Sequence, residues 1–241
     1  RRRLWEDTVQ EAFRGEALLF VDKPPVENPS ADSSAPVQLA MKMMDFLEDA
    51  EKEILILSAY LIPSIDLEGA FERAVQRGVE VRILTNSIRS NNHLAAHSAY
   101  RKHINELMTD GAKLHEVRVD ARDRYLYMVA PINKKSLALH AKALVIDGDK
   151  VFIGSANLDP RSLRLNTEMG LLVFSEELNA EVRSVVERDF SQENAWYLQF
   201  DEGGNVIWVS GNVVLTSQPA ESFMQRIEDW FLMHLPIEDE M

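Results

Sequence analysis

The sequence predicts an α/β/α sandwich around a mixed, mainly parallel sheet. Two patterns carry this. Between residues 53 and 116, short apolar runs alternate with amphipathic stretches, which implies right-handed crossovers between parallel strands. After residue 136, apolar runs flank tight polar turns, which implies hairpins added to that sheet.

The elements follow in order. Residues 4–13 read as a short helix and 17–21 as a buried strand. Residues 22–36 are rich in Pro, Ser, Asn and Asp and read as a linker. Leu39, Met43, Met44 and Leu47 recur at helical spacing, giving a helix over 36–50. Met41, Met43 and Met44 fit core packing or a dimer face. Strands at 53–58, 80–85 and 113–116 alternate with helices at 67–77 and 94–109, which Gly78 and Gly111 stop. A strand over 136–146, a turn at Asp147-Gly148-Asp149 and a return at 151–154 form a hairpin. A strand at 168–174, a helix at 176–190, a second hairpin over 196–209 and an amphipathic helix at 220–235 complete the chain. Trp230, Phe231, Met233 and Leu235 on that last helix fit ordinary packing better than a membrane contact, because Glu238–Glu240 flank it with negative charge. Residues 1–36 are expected to be an N-terminal segment and linker, and 37–241 one domain.

Composition narrows the function. The 241 residues contain no cysteine, which excludes disulfides, thiolate nucleophiles and cysteine zinc sites. Net charge is −13, and a duplex binder draws most of its affinity from basic residues, so a nucleic-acid substrate is disfavoured. No apolar run reaches the roughly 20 residues that span a bilayer.

His140 and Lys142 are two apart on the expected strand, so both side chains point to one pocket. Downstream come Gly154-Ser155-Ala156-Asn157, Arg161-Ser162 and Asn166-Thr167-Glu168. The glycine allows close backbone approach, and the hydroxyl and amide beyond it offer hydrogen bonds. Asp147 lies at a turn before Gly148, where local backbone bonding favours aspartate. His97, Tyr100 and Arg101 neighbour one another on a helix. They read either as a solvated face or as headgroup contacts. Tyr60 follows a strand end, where α/β sheets place ligands.

His140-x-Lys142-x4-Asp147 followed by Gly154-Ser155-x-Asn157 resembles the signature of the phospholipase D superfamily. Arg161, Ser162, Asn166 and Glu168 fit the same pattern. Residues 53–63 and Thr85-Asn86-Ser87 with His97, Tyr100 and Arg101 are similar to the second half of bacterial cardiolipin synthases, and the closing Ser222-Phe223, Arg226 and 235–238 resemble the end of the cardiolipin synthase C branch. The resemblance implies phosphatidyl transfer through a phosphohistidine, with no cofactor and no metal. Its catalytic set is His140, Lys142, Asn157, Ser155, Glu168 and Asp147. Tyr60, His97, Tyr100 and Arg101 are expected to bind substrate. One imidazole attacks phosphorus and a second protonates the leaving alkoxide, while Lys142 and Asn157 hold the non-bridging oxygens and Glu168 supports a histidine. Members with two motifs often place the nucleophile in the first half, which leans His140 toward proton donor.

The chain carries one copy of the motif, so the expected partner is either an absent N-terminal half or a second copy. The start at Arg1-Arg2-Arg3 favours the former. The expected lipid is phosphatidylglycerol or phosphatidylethanolamine, and the expected location is peripheral on a bacterial membrane. Two other readings stay open. One is hydrolysis of a phosphodiester, as a phospholipase or a nuclease. The other is a half-domain inactive without its partner.

Overall fold

The computed structural model describes residues 12–22 and 38–235. Most of the expected helix over 4–13 and nearly all of the linker over 22–36 lie outside the described residues, and the last two positions of that helix, 12 and 13, are not helical. Ten strands form one sheet in the order β1-β7-β6-β5-β2-β3-β4-β8-β9-β10. They are β1 (Glu16–Val21), β2 (Glu53–Ser58), β3 (Glu80–Asn86), β4 (Lys113–Val117), β5 (Lys142–Ile146), β6 (Lys150–Gly154), β7 (Met169–Phe174), β8 (Ala195–Phe200), β9 (Val206–Ser210) and β10 (Val213–Leu215). The helices are α1 (Gln38–Asp49), α2 (Ile65–Gln76), α3 (Leu94–Thr109), α4 (Pro160–Arg164), α5 (Glu176–Phe190) and α6 (Phe223–Met233).

The sheet is mixed, but it is not mainly parallel. Only β2–β3 and β3–β4 pair in parallel; every other neighbour is antiparallel. Crossover helices produced the two parallel pairs, and the hairpins outnumber them. Strand β1 pairs with β7 along its full length, so the sheet begins well before residue 37.

Alternation within β2 assigns the two layers. Ile54 and Ile56 pack with α1, α2 and α3 in the larger core, while Leu55 pairs with Val145 and packs with Val186 and Phe190 of α5. Ile54, Leu55 and Ile56 are all fully buried, as a strand covered on both faces requires. Ser64 caps α2 by accepting from the Leu67 N–H.

Glycines 154 and 170 face each other across β6 and β7. A Cβ on Gly170 would lie 2.2 Å from the Phe152 ring, and one on Gly154 would lie 2.9 Å from both that ring and the Met169 carbonyl. The Phe152 ring therefore fills the space these glycines leave, and the larger core closes over it.

Asp22 fastens the sheet edge. Its carboxylate accepts from the Leu39 N–H at the start of α1 (2.8 Å) and from the Glu168 N–H (3.1 Å). The last helix departs from the expected packing. Its buried residue is Asp229, while Phe223, Met224, Trp230 and Phe231 are all more than half exposed. Among the described residues no helix is long and apolar enough to cross a membrane.

Glu116 of β4 is fully buried and accepts from the Trp208 indole N–H at 2.9 Å. Burial pushes its carboxyl up to about 8 from about 4.5, against the hydrogen bond from Trp208. The folded state therefore holds a proton that the unfolded chain releases, and stability falls as pH rises through that window. In Glu116→Gln the stability difference from wild type should move steadily in the variant's favour between pH about 4.5 and about 8. Urea unfolding at a series of pH values reads this, and a difference independent of pH would refute it.

Candidate active site

The site forms where β2 ends. Ser58 pairs with Lys142, the first residue of β5. Its hydroxyl donates to the Tyr60 carbonyl (2.6 Å) and accepts from the Leu158 N–H (3.0 Å). The Ile62 N–H donates to the Leu158 carbonyl (2.7 Å). Three segments carrying expected site residues are thus tied to one strand terminus: Tyr60, Lys142 and the Asn157 loop.

The expected strand over 136–146 begins only at Lys142. Beyond Ser58 there is no β2 backbone left to pair with residues 136–141. The Asn86 side chain substitutes for it at one position. Its amide donates to the Leu139 carbonyl (3.0 Å), and its oxygen accepts from the Leu139 N–H (2.8 Å). His140 is therefore held between a side-chain clamp on one side and the first β5 pair on the other. Asn86 is buried, and its third contact is to the Ala59 carbonyl at 3.0 Å.

His140 is exposed and Lys142 half-buried. The Lys142 ammonium donates to the His140 carbonyl (2.8 Å) and lies 3.2 Å from its Nδ1. An ammonium can only donate, so Nδ1 is the acceptor and the neutral ring carries its hydrogen on Nε2. Burial lowers the pKa of Lys142, while the Glu168 and Asp159 carboxylates work against that shift. Asp159 caps α4 by accepting from the Ser162 N–H at 2.7 Å. Burial raises its own pKa despite that hydrogen bond. Asn157 is buried, and its Oδ1 has no partner.

Ser155 and Glu168 bond to each other. The Ser155 hydroxyl donates to the Glu168 carboxylate, and the Asn166 amide donates to its other oxygen at 3.0 Å. The described partners of Glu168 are therefore Ser155 and Asn166, and the support expected for a histidine within this chain is not formed.

Asp147 is at the far end of β5 from His140. It has φ 55° and accepts from the backbone N–H groups of Glu51, Lys52 and Glu53 at 2.8–3.2 Å. Although it was expected in the catalytic set, its carboxylate is taken up in joining the hairpin turn to the start of β2.

His97, Tyr100 and Arg101 also depart from expectation. His97 and Tyr100 are buried. Asp229 accepts from Ser98 (2.9 Å) and Arg101 (2.9 Å), and lies 2.8 Å from His97 Nδ1. His97, Ser98 and Arg101 thus fasten α6 to α3, and Tyr100 is buried in the larger core. A helical face of mixed polar residues looks solvated in sequence; the buried acid that accepts them is about 130 positions away. Tyr60 does line a polar groove, with Asn157, Asp159, Arg161 and Asn166. It hydrogen-bonds Asn92 at 3.0 Å and meets His93 edge-on. His93 lines the groove as well; no motif marks it, and sequence reasoning passed over it. Among the described residues no group of three or more His, Asp or Glu side chains could hold a metal ion.

A family model described as "Cardiolipin synthase, PLD-like domain" matches residues 43–190. The chain belongs to the phospholipase D-like family. Cardiolipin synthase C of Escherichia coli K12 is 33% identical over 208 residues, covering 83% of this chain and 43% of that protein. Cardiolipin synthase A of Proteus mirabilis is 30% identical over 152 residues, covering 63% of this chain and 27% of that protein. The chain thus spans less than half the length of these curated relatives. Two solved structures share the fold. The phospholipase D family member Nuc of Salmonella typhimurium has TM-score 0.50 at 19% identity, covering 75% of this chain and 97% of that one. Phosphatidylserine synthase of Haemophilus influenzae has TM-score 0.52 at 14% identity, covering 76% and 39%.

Burial raises the Asp147 carboxyl, but the three backbone donors and Lys150 outweigh it and the net shift is downward. Asp147→Asn keeps a side chain that tolerates positive φ and should cost about 1–3 kcal/mol in urea unfolding at neutral pH. A depressed carboxylate stabilises above its unfolded value and loses that effect as pH falls through its folded one. The gap between variant and wild type should therefore close below the ordinary aspartate range. Unchanged stability at neutral pH would return Asp147 to the chemistry.

Proposed function

We propose that this chain supplies one of the two half-sites of a phosphatidyltransferase that forms cardiolipin through a phosphohistidine. The observation that carries the reading is the convergence of His140, Lys142 and Asn157 on the end of β2, in a chain 33% identical to a cardiolipin synthase. Lys142, now on the His140 carbonyl, turns onto a non-bridging phosphate oxygen when substrate binds. Asn157 has one unused buried oxygen beside the same groove. Proton donation to the leaving alkoxide needs the imidazolium form of His140, so Lys142 must leave Nδ1 for the phosphate and that nitrogen must first take up a proton. The transferred phosphatidyl group then passes to the terminal hydroxyl of phosphatidylglycerol.

A second imidazole must come from a partner, either an N-terminal half or another copy. Beside Gly154 the sheet face carries Ile153, Leu171 and Leu19 in register, all exposed. Contiguous apolar side chains on a sheet face mark a surface that something covers, and this one adjoins His140. Peripheral attachment to a membrane belongs to the same reading.

The chain alone should show little or no transfer on phosphatidylglycerol vesicles, because one imidazole cannot serve both roles. Robust turnover by a strictly monomeric sample, established by light scattering, would count against the half-site. In the complete enzyme, His140→Ala should lower cardiolipin formation by at least about 1,000-fold while the protein still unfolds cooperatively. Wild-type turnover would remove His140 from the site. Phosphatidic acid as the sole product would make water the acceptor and the enzyme a hydrolase.

A further inference from the structure

On the α5 side of the sheet lies a cavity of about 530 Å³ whose wall includes His140 and Lys142. Its floor is Leu57, Leu84 and Ala143 of the sheet, one side is Val182 and Val186 of α5, and its roof is the irregular segment over 118–141. Tyr127 in that segment donates to Asp189 of α5 at 2.7 Å, and the Asn86 clamp holds Leu139. The roof is thus fixed at both ends.

We infer that this cavity binds a fatty acyl chain of the lipid whose phosphate reacts at His140. The inference rests on the phosphodiester reading of His140 and Lys142, and adds where the substrate's apolar part goes. A diacyl phospholipid joins an anionic phosphate to hydrocarbon through a short glycerol ester. The cavity has the same order, with an imidazole and an ammonium at one wall and aliphatic side chains beyond. The charged groups at its edge are already satisfied: Asp189 by Tyr127, and Asp123 by Asn194 at 2.9 Å. Of the other polar lining groups, Arg124 donates to the Val119 and Asn133 carbonyls and the Tyr127 hydroxyl is also held by Arg188, and the volume is ordinary for a small-ligand site. The polar groove by Tyr60 and Asn157 is left for the headgroup or the acceptor.

The test is calorimetric binding of dihexanoyl-phosphatidylglycerol, kept below its micelle-forming concentration, against its deacylated counterpart glycerophosphoglycerol, to the 241-residue chain. The diacyl compound should bind at least about ten-fold more tightly. Val182→Trp, which fills the cavity from α5, should erase that preference. Ala138→Trp should do the same from an exposed position in irregular backbone, where the sheet does not depend on it. Equal affinity of the wild-type chain for the two compounds would overturn the proposal. So would a preference that survives both substitutions. If instead the substitutions change the oligomeric state by light scattering and leave the preference intact, the cavity is an interface between copies and the proposal fails. In the complete enzyme, His140→Ala should keep the acyl preference while losing transfer. A preference present in a wild-type complete enzyme that makes no cardiolipin would sustain the acyl site and reject the transferase.

Discussion

Strand β2 is buried on both faces and joins the parallel part of the sheet to the antiparallel part, with β3 on one side and β5 on the other. Where it stops, at Ser58, the backbone of its neighbours loses a partner. One hydroxyl and one buried amide, Ser58 and Asn86, then take over the hydrogen bonding that a longer strand would have provided. Buried backbone polar groups must be paired, so these two side chains fix the path of every segment that reaches the site. The reactive surface occupies the gap left by an early strand end, held open by side-chain substitutes for a ladder.

That arrangement also separates rigidity from exposure. His140 is exposed, yet the residue before it is clamped and the residue two after it opens a strand. A nucleophile or acid has to meet solvent-borne substrate without wandering, since small misplacements of reacting groups are costly. Anchoring the backbone on both sides while leaving the ring free meets both demands. The short Tyr60-to-Ser64 stretch is treated similarly, tied to Leu158 through Ile62 before α2 begins.

Much of this was legible in the sequence because the signals were local. The crossover units, the hairpin at Asp147-Gly148 and the pairing of His140 with Lys142 follow from period, turn chemistry and spacing. What escaped depends on residues far apart in the chain. The strand over 136–146 looked continuous because nothing nearby reports that it pairs with β2, whose end at Ser58 leaves residues before Lys142 without a partner. His97, Tyr100 and Arg101 looked accessible because Asp229, which gathers His97 and Arg101, comes from the last helix. Asp22 sat at the start of what reads as a linker, and only the folded chain shows it joining β1, α1 and Glu168. Two hairpins were visible, but β10 was not foreseen, and the antiparallel majority rests also on the long-range pairs β1–β7, β2–β5 and β4–β8.

Asp147 belongs to the signature without touching the chemistry, and its position suggests why it accompanies His140 and Lys142. Side chains in a strand alternate between faces, so a slip of one residue sends each to the opposite side. The five residues of β5 lie between the two ends of this motif. By locking the turn to Glu51, Lys52 and Glu53, Asp147 sets the phase from which those five residues are counted. It works as the zero mark of a ruler. An insertion or deletion along β5 outside Lys142 would leave His140, Lys142 and Asp147 all present in the chain and aim the lysine at the wrong layer.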